Sequence, residues 1–79
     1  MKQYHFAMSR LPSGSFEIAR VTAANEEIAK LQLIVEYGHN YRIGKVFDVQ
    51  EPHNTYGELN CSDFPLNQIE WLRKEAARV

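Results

Sequence analysis

The sequence has a single cysteine, Cys61, so no disulfide bond can form within the chain. Small secreted domains usually depend on such bonds, because a short chain buries too little surface for a strong core. The longest aliphatic run, Leu33-Ile34-Val35, is too short to span a bilayer, and the first eight residues lack the apolar stretch of a signal peptide. These absences predict a cytoplasmic protein without a membrane segment.

An excess of one charge is also missing, because the 79 residues carry a formal net charge of −1. The strongly basic balance that usually accompanies phosphate binding is therefore absent. The hydrophobic fraction of 44% is ordinary for a globular chain, and this length accommodates one core only. We predict a single domain over residues 1–79.

Motifs for catalysis and metal binding are sparse. Cys61 has His53 eight residues away and Asp63 two residues away, but no helix N-terminus is clearly aimed at the thiol to activate it. The histidines, including His5 and His39, lack the short paired spacing of a zinc site. We predict no enzyme activity, no cofactor and no metal. An enzymatic alternative would need a pocket that joins His53, Cys61 and Asp63.

Alternating apolar and polar residues predict two strands at the start of the chain, over Gln3–Ser9 and Phe16–Thr22. The sequence Leu11-Pro12-Ser13-Gly14 between them is typical of a tight turn. The two strands should therefore form an antiparallel hairpin, with Phe16 and Ile18 facing the core.

A helix is predicted to begin after Asn25, a good N-cap residue, and to end at Gly38 in the left-handed conformation. One apolar stripe, which should pack on the sheet, contains Ile28, Leu31, Ile34 and Val35. A second, narrower stripe contains Ala29, Leu33 and Tyr37. Because a helix on a sheet needs only one apolar stripe, the second predicts another neighbour. That neighbour is either part of this chain or a second copy in a homodimer.

The second half of the chain adds a predicted strand over Tyr41–Val49, with Ile43 and Phe47 inward and a bulge at Gly44. Residues 50–66 should be mainly loop, with a short edge strand as an option at Tyr56–Cys61.

A final helix is predicted at about Gln68–Arg78. The spacing of Asn67 and Glu70 favours a capping box, and Leu66 with Trp71 favours a hydrophobic staple.

The predicted architecture is α+β with the order ββαβ(β)α. It has a small, mainly antiparallel three-stranded sheet in the order 2-1-3, one helix packed on it and a C-terminal helix. The outer face of the sheet should carry His5, Ala7, Glu17, Ala19, Arg42 and Gly44. We expect either the last helix, through Ile69, Leu72 and Ala76, or a partner protein to cover that face.

Acidic residues are concentrated between the third strand and the last helix. Residues 46–72 contain five acids and no lysine or arginine. Acids around aromatic anchors suit docking on a basic protein surface, because aromatics supply binding energy and charge steers association. The predicted partner-binding residues are Asp48, Glu51, Tyr56, Glu58, Asp63 and Phe64. The alternative is that these acids only form a solvated loop.

A second functional hypothesis is a small RNA- or DNA-binding module. Arg20, Arg42 and Lys45 lie on predicted strands and could contact phosphates. Aromatic residues could serve as stacking platforms, namely Tyr4, Phe6, Tyr41 and Phe47. Most of these aromatics, however, lie on the face that must cover the first helix.

The segment Phe16-Glu-Ile-Ala-Arg-Val-Thr-Ala-Ala-Asn-Glu-Glu-Ile-Ala29 has a strand–cap–helix layout. In size and layout the whole chain resembles small α+β proteins of phages and mobile elements, in particular anti-CRISPR inhibitors of type I interference complexes. The resemblance implies a stoichiometric protein-binding inhibitor that keeps target DNA off a host CRISPR effector complex. It implies no individual site residue, because these inhibitors share no diagnostic motif.

Overall fold

The computed structural model describes residues 2–46 and 57–79. Its elements in chain order are β1 (Lys2–Arg10), β2 (Phe16–Ala23), α1 (Glu26–Tyr37), β3 (Tyr41–Val46), β4 (Gly57–Asn60), a 3₁₀ turn (Leu66–Gln68) and α2 (Ile69–Ala77). The predicted α+β class and the predicted order of elements are confirmed, including the optional edge strand, which is β4. Within the described residues, neither helix is long and apolar enough to cross a membrane.

The strands form one sheet in the order β3-β1-β2-β4. β1 is antiparallel to both β2 and β3, as predicted, whereas β4 pairs with β2 in parallel. The sheet is therefore four-stranded and mixed, and the prediction of a three-stranded, mainly antiparallel sheet is corrected by the addition of β4. The four residues of β4 carry no sequence signal that specifies the direction of pairing, which depends on contacts distant in the chain.

The hairpin turn forms as predicted. The amide of Arg10 donates to the carbonyl of Ser15 over 2.9 Å, and the amide of Gly14 donates back to the carbonyl of Arg10 over 2.6 Å. Gly14 has a φ of 78°, a conformation that side chains with a Cβ rarely adopt.

The register of the hairpin reverses the predicted faces of β2. Phe6 lies opposite Ala19, and residues directly opposite each other in antiparallel strands share a face. Ala19 and Val21 are consequently buried, while Phe16 is 65% exposed. The prediction that Phe16 and Ile18 point inward was therefore wrong, as was the placement of Ala19 and Glu17 on the outer face. A shift of one residue is enough to exchange the two faces of a strand.

The bulge predicted in β3 is confirmed. Phe6 pairs with Val46 and Met8 pairs with Ile43, so two residues of β3, Gly44 and Lys45, lie opposite the single residue between Phe6 and Met8. The predicted extension of this strand to residue 49, with Phe47 inward, lies outside the described residues.

The beginning of α1 is capped as predicted, since Oδ1 of Asn25 accepts a hydrogen bond from the amide of Ile28 over 2.8 Å. The end of the helix differs, because Gly38 is right-handed with a φ of −63°. Glycine is required there because the position has no room for a Cβ atom, and not because the backbone is left-handed. A Cβ atom at this position would overlap the carbonyl oxygen of Ile34 and the side chain of Val79.

The stripe predicted to be the second one faces the sheet. Ala29 and Leu33 are fully buried, and Tyr37 contacts Tyr41 of β3 and lies beside Gly57 of β4, so this stripe needs no second copy to cover it. The prediction that the other stripe alone packs on the sheet was therefore wrong, and α2 packs against α1 on the side that carries Glu27.

α2 contributes Leu72 and Ala76 to the interior and lies on the helix side of the sheet. The expectation that α2 could cover the outer face was therefore wrong. The capping box is also absent, because no side chain caps the 3₁₀ turn or α2.

Candidate partner-binding surfaces

Half of the predicted acidic site can be placed. Asp48, Glu51 and Tyr56 lie outside the described residues. Of the remaining predicted residues, Glu58 lies on β4, and Asp63 and Phe64 lie in the turn that connects β4 to the 3₁₀ turn.

Glu58 is held by a cation from the neighbouring strand. Glu58 lies opposite Arg20 in the β2–β4 register, and Nη1 of Arg20 donates to its Oε1 over 2.9 Å. The carboxylate is still 70% exposed. Such surface ion pairs typically contribute about 0–1 kcal/mol, so a partner can replace this one at small cost. The pair joins one residue from each of the two predicted sites.

Asp63 and Phe64 have different environments although they are adjacent in sequence. Asp63 is exposed and forms no ion pair with any described residue. Phe64 is half-buried against the core, and its amide donates to the carbonyl of Cys61 over 3.2 Å. The turn therefore directs the carboxylate to solvent and uses the aromatic ring for packing.

The predicted basic site lies on two strands. Arg42 and Lys45 are exposed on β3 and pair with no carboxylate in the described part of the chain. Arg20 lies opposite His5, and Nε of Arg20 and Nε2 of His5 are both buried without a hydrogen-bond partner. Burial, followed by the charge of Arg20, lowers the pKa of His5, so this histidine is neutral at pH 7. The described outer side of the sheet thus contains Arg20, Arg42 and Lys45, and of these Arg20 is paired with a described carboxylate.

Cys61 is buried, with 8% of its surface exposed. Burial is the main reason why the pKa of its thiol is raised, and the charge of Glu36 adds to the effect. The reactive thiolate is therefore scarce at neutral pH. Residues 2–46 and 57–79 contain no group of three potential metal ligands, and His53 of the enzymatic alternative lies outside them.

The sequence interpretation missed two exposed apolar residues near the start of α2. Leu66 is 62% exposed and Trp71 is 53% exposed, whereas a hydrophobic staple would have covered both. The available signal was the adjacency of Trp71 and Leu72. Neighbouring residues in a helix point about 100° apart, so only one of the two could face the core.

An ion-pair network around Arg73 also connects α2 to α1. Its Nε and Nη2 atoms donate to the two carboxylate oxygens of Glu27 over 2.9 and 3.0 Å, and its Nη1 atom donates to Glu70. The hydrogen bonds from Arg73 lower the pKa of Glu27. This two-pronged contact ties α2 to the first turn of α1 and thereby orients the outward side chains of α2.

Comparison with known proteins gives no match: no protein-family model, no curated protein and no solved structure is similar to this chain. The function has to be inferred from the surfaces described above.

Proposed function

We propose that this protein is a non-enzymatic, protein-binding inhibitor or adaptor. The supporting observation is a run of exposed groups from β4 to the 3₁₀ turn, which we term the carboxylate surface: Glu58, Asp63 and Leu66. Apolar side chains at an interface supply binding energy, and charges around them steer association. The surface therefore suits contact with another protein.

The partner patch that fits this surface is basic. Asp63 has no cation partner among the described residues, and Glu58 has only the solvent-exposed pair with Arg20. Because exposed pairs are weak, lysines or arginines of a partner can replace Arg20 without a large penalty.

A type I CRISPR interference complex is the partner to test first, because the sequence resembles inhibitors of such complexes. A surface that binds DNA must carry cations, since each phosphate of DNA is negatively charged. Carboxylates docked on those cations would block target DNA without any chemical reaction.

The experiment measures target-DNA binding by purified type I complexes in a mobility-shift assay, with increasing amounts of this protein. We expect DNA binding to be lost near equimolar protein. The double substitution Glu58→Lys and Asp63→Lys should weaken inhibition by about tenfold or more, because two attractive contacts become repulsive. Glu26→Lys, which reverses an exposed carboxylate on α1, is the matched control and should inhibit normally.

Two results would count against the proposal. Full inhibition by the double variant would reject the carboxylate surface. Absence of inhibition for every type I complex would reject the anti-CRISPR identity.

Nucleic-acid binding is the second candidate function. It is favoured by the exposure of Arg42 and Lys45 on β3 and by the lack of a carboxylate partner for either among the described residues. It predicts a mobility shift with plain oligonucleotides at low salt that weakens as salt is added. Arg42→Glu with Lys45→Glu should abolish the shift. A wild-type protein that shifts no oligonucleotide at low salt would exclude this function.

A further inference from the structure

The outward side of α2 carries a second surface, distinct from the carboxylate surface. Trp71, Lys74 and Arg78 follow each other at spacings of three and four residues, so they lie along one side of the helix. All three are exposed, while Leu72 and Ala76 face the interior. We term this set of three residues the Trp71 stripe.

The charge of the Trp71 stripe is positive. Lys74 forms no ion pair with the described residues, and Arg78 contacts Glu75 through a single exposed pair of 3.4 Å. The other acid of the helix, Glu70, is bound to Arg73. The stripe therefore presents a large aromatic ring at one end, followed by a cation without a described partner and a cation that is weakly paired.

The stripe is also held in a fixed position. Leu72 is fully buried beneath it, and Arg73 ties the helix to Glu27 of α1 through two hydrogen bonds. A preorganised helix loses little conformational freedom when it binds, so more of the contact energy becomes affinity. Exposed tryptophan on such a helix is the residue type most enriched among interface hot spots.

We infer that the Trp71 stripe docks an acidic segment of a protein, with the indole as anchor and Lys74 and Arg78 contacting carboxylates. Nucleic acid fits less well, because two cations neutralise at most two phosphates and provide little of the electrostatic term on which phosphate binding depends. The inference goes beyond the proposed function. It gives the chain two surfaces of opposite charge, which favours an adaptor that contacts two different patches.

The test is a selection of random 12-residue peptides displayed on phage against the immobilised full chain. Trp71 is the only tryptophan, so its fluorescence reports contact at the stripe directly. We expect the enriched peptides to be rich in aspartate and glutamate around one or two apolar residues. Their synthetic versions should shift the Trp71 emission to shorter wavelength in a saturable titration.

Substitutions test whether the selected peptides bind at the Trp71 stripe. Lys74→Glu retains the fluorophore and should weaken peptide binding by about tenfold or more, because a contact with a carboxylate becomes a repulsion. Trp71→Ala should weaken binding at least as much, measured by the anisotropy of a labelled peptide. Lys30→Glu removes an exposed lysine of α1 and should bind normally. Circular dichroism of each variant confirms that it is folded.

Each other outcome overturns the inference. Enriched peptides that are not acidic, or that bind Trp71→Ala as well as wild type, would reject the Trp71 stripe as the binding site. The proposal that the chain binds a protein would remain. An enriched set confined to basic peptides that lose binding with the Glu58→Lys and Asp63→Lys changes would support the carboxylate surface alone. Absence of any enriched peptide would count against both. A Trp71 shift produced by oligo(dT) instead of peptides would identify the stripe as a nucleic-acid contact.

Discussion

The two helices differ both in apolar content and in their surroundings. α1 lies between the sheet and α2, and Ile28, Ala29 and Leu33 are all buried. Among the described helices and strands, α2 packs mainly against α1, and its buried residues are Leu72 and Ala76. α1 therefore buries apolar residues against two neighbours, whereas Trp71 of α2 remains exposed. The number of packing neighbours decides how many apolar side chains of a helix are covered.

The largest effect should come from the fully buried side chains of the two helices. Leu33→Ala should reduce the free energy of unfolding by about 2–5 kcal/mol, because it removes a fully buried side chain and leaves a cavity. Leu72→Ala, at an equally buried position of α2, should fall in the same range. Urea denaturation followed by circular dichroism measures both. A loss below about 1 kcal/mol for Leu33→Ala would mean that α1 is not packed as described.

The next largest effect on stability should be a difference between substitutions at the first turns of the two helices. Asn25→Ala should cost about 1 kcal/mol, because the amide of Ile28 loses its side-chain acceptor. Asn67→Ala should be close to neutral, since no side chain caps the turn that precedes α2. Equal losses in the two variants, measured by urea denaturation, would show that the capping box of α2 does form.

The ion pair between Glu27 and Arg73 predicts that the stability of the fold depends on pH. The pKa of Glu27 in the folded chain is below its unfolded value of about 4.3, so its contribution to stability is present above that pH. The contribution is lost as the pH falls through the folded pKa. Glu27→Gln should lower the urea midpoint slightly at pH 7 and leave it unchanged at low pH. A deficit of the same size at both pH values would contradict a role for the carboxylate charge.

The smallest effect on stability should come from the largest side chain of α2. Trp71→Ala should change the free energy of unfolding by no more than about 0.5 kcal/mol, because the ring is more than half exposed. Thermal denaturation of wild type and variant gives the comparison. A large loss would place the ring in the core and remove the Trp71 stripe as a binding surface.

Local features of the fold could be predicted from the sequence because they depend on neighbouring residues. The cap at Asn25, the turn with Gly14 and the bulge at Gly44 are all of this kind. The orientation of β2 could not be predicted in this way. Apolar content favoured Phe16 as an inward residue, but the register of the hairpin buries the small Ala19 and leaves the phenyl ring exposed.

The candidate sites were harder to predict because their electrostatics depend on distant partners. The concentration of acids was visible in the sequence, but the cation that holds Glu58 is Arg20, 38 residues away on a parallel neighbour. Trp71 was assigned to local capping, and only the packing of α2 on α1 shows that its ring is exposed. Whether a side chain of α2 is exposed depends on how the helices pack, and not on its neighbours in the sequence.

The edges of the sheet have a consequence for solubility. β3, at one edge, is interrupted by its bulge and carries Arg42 and Lys45, while β4, at the other, carries Glu58 within its described residues, Gly57–Asn60. Irregular, short or charged outermost strands are poor templates for another strand. These edges disfavour open-ended addition of strands from other copies of the chain, which is the first step of fibre growth.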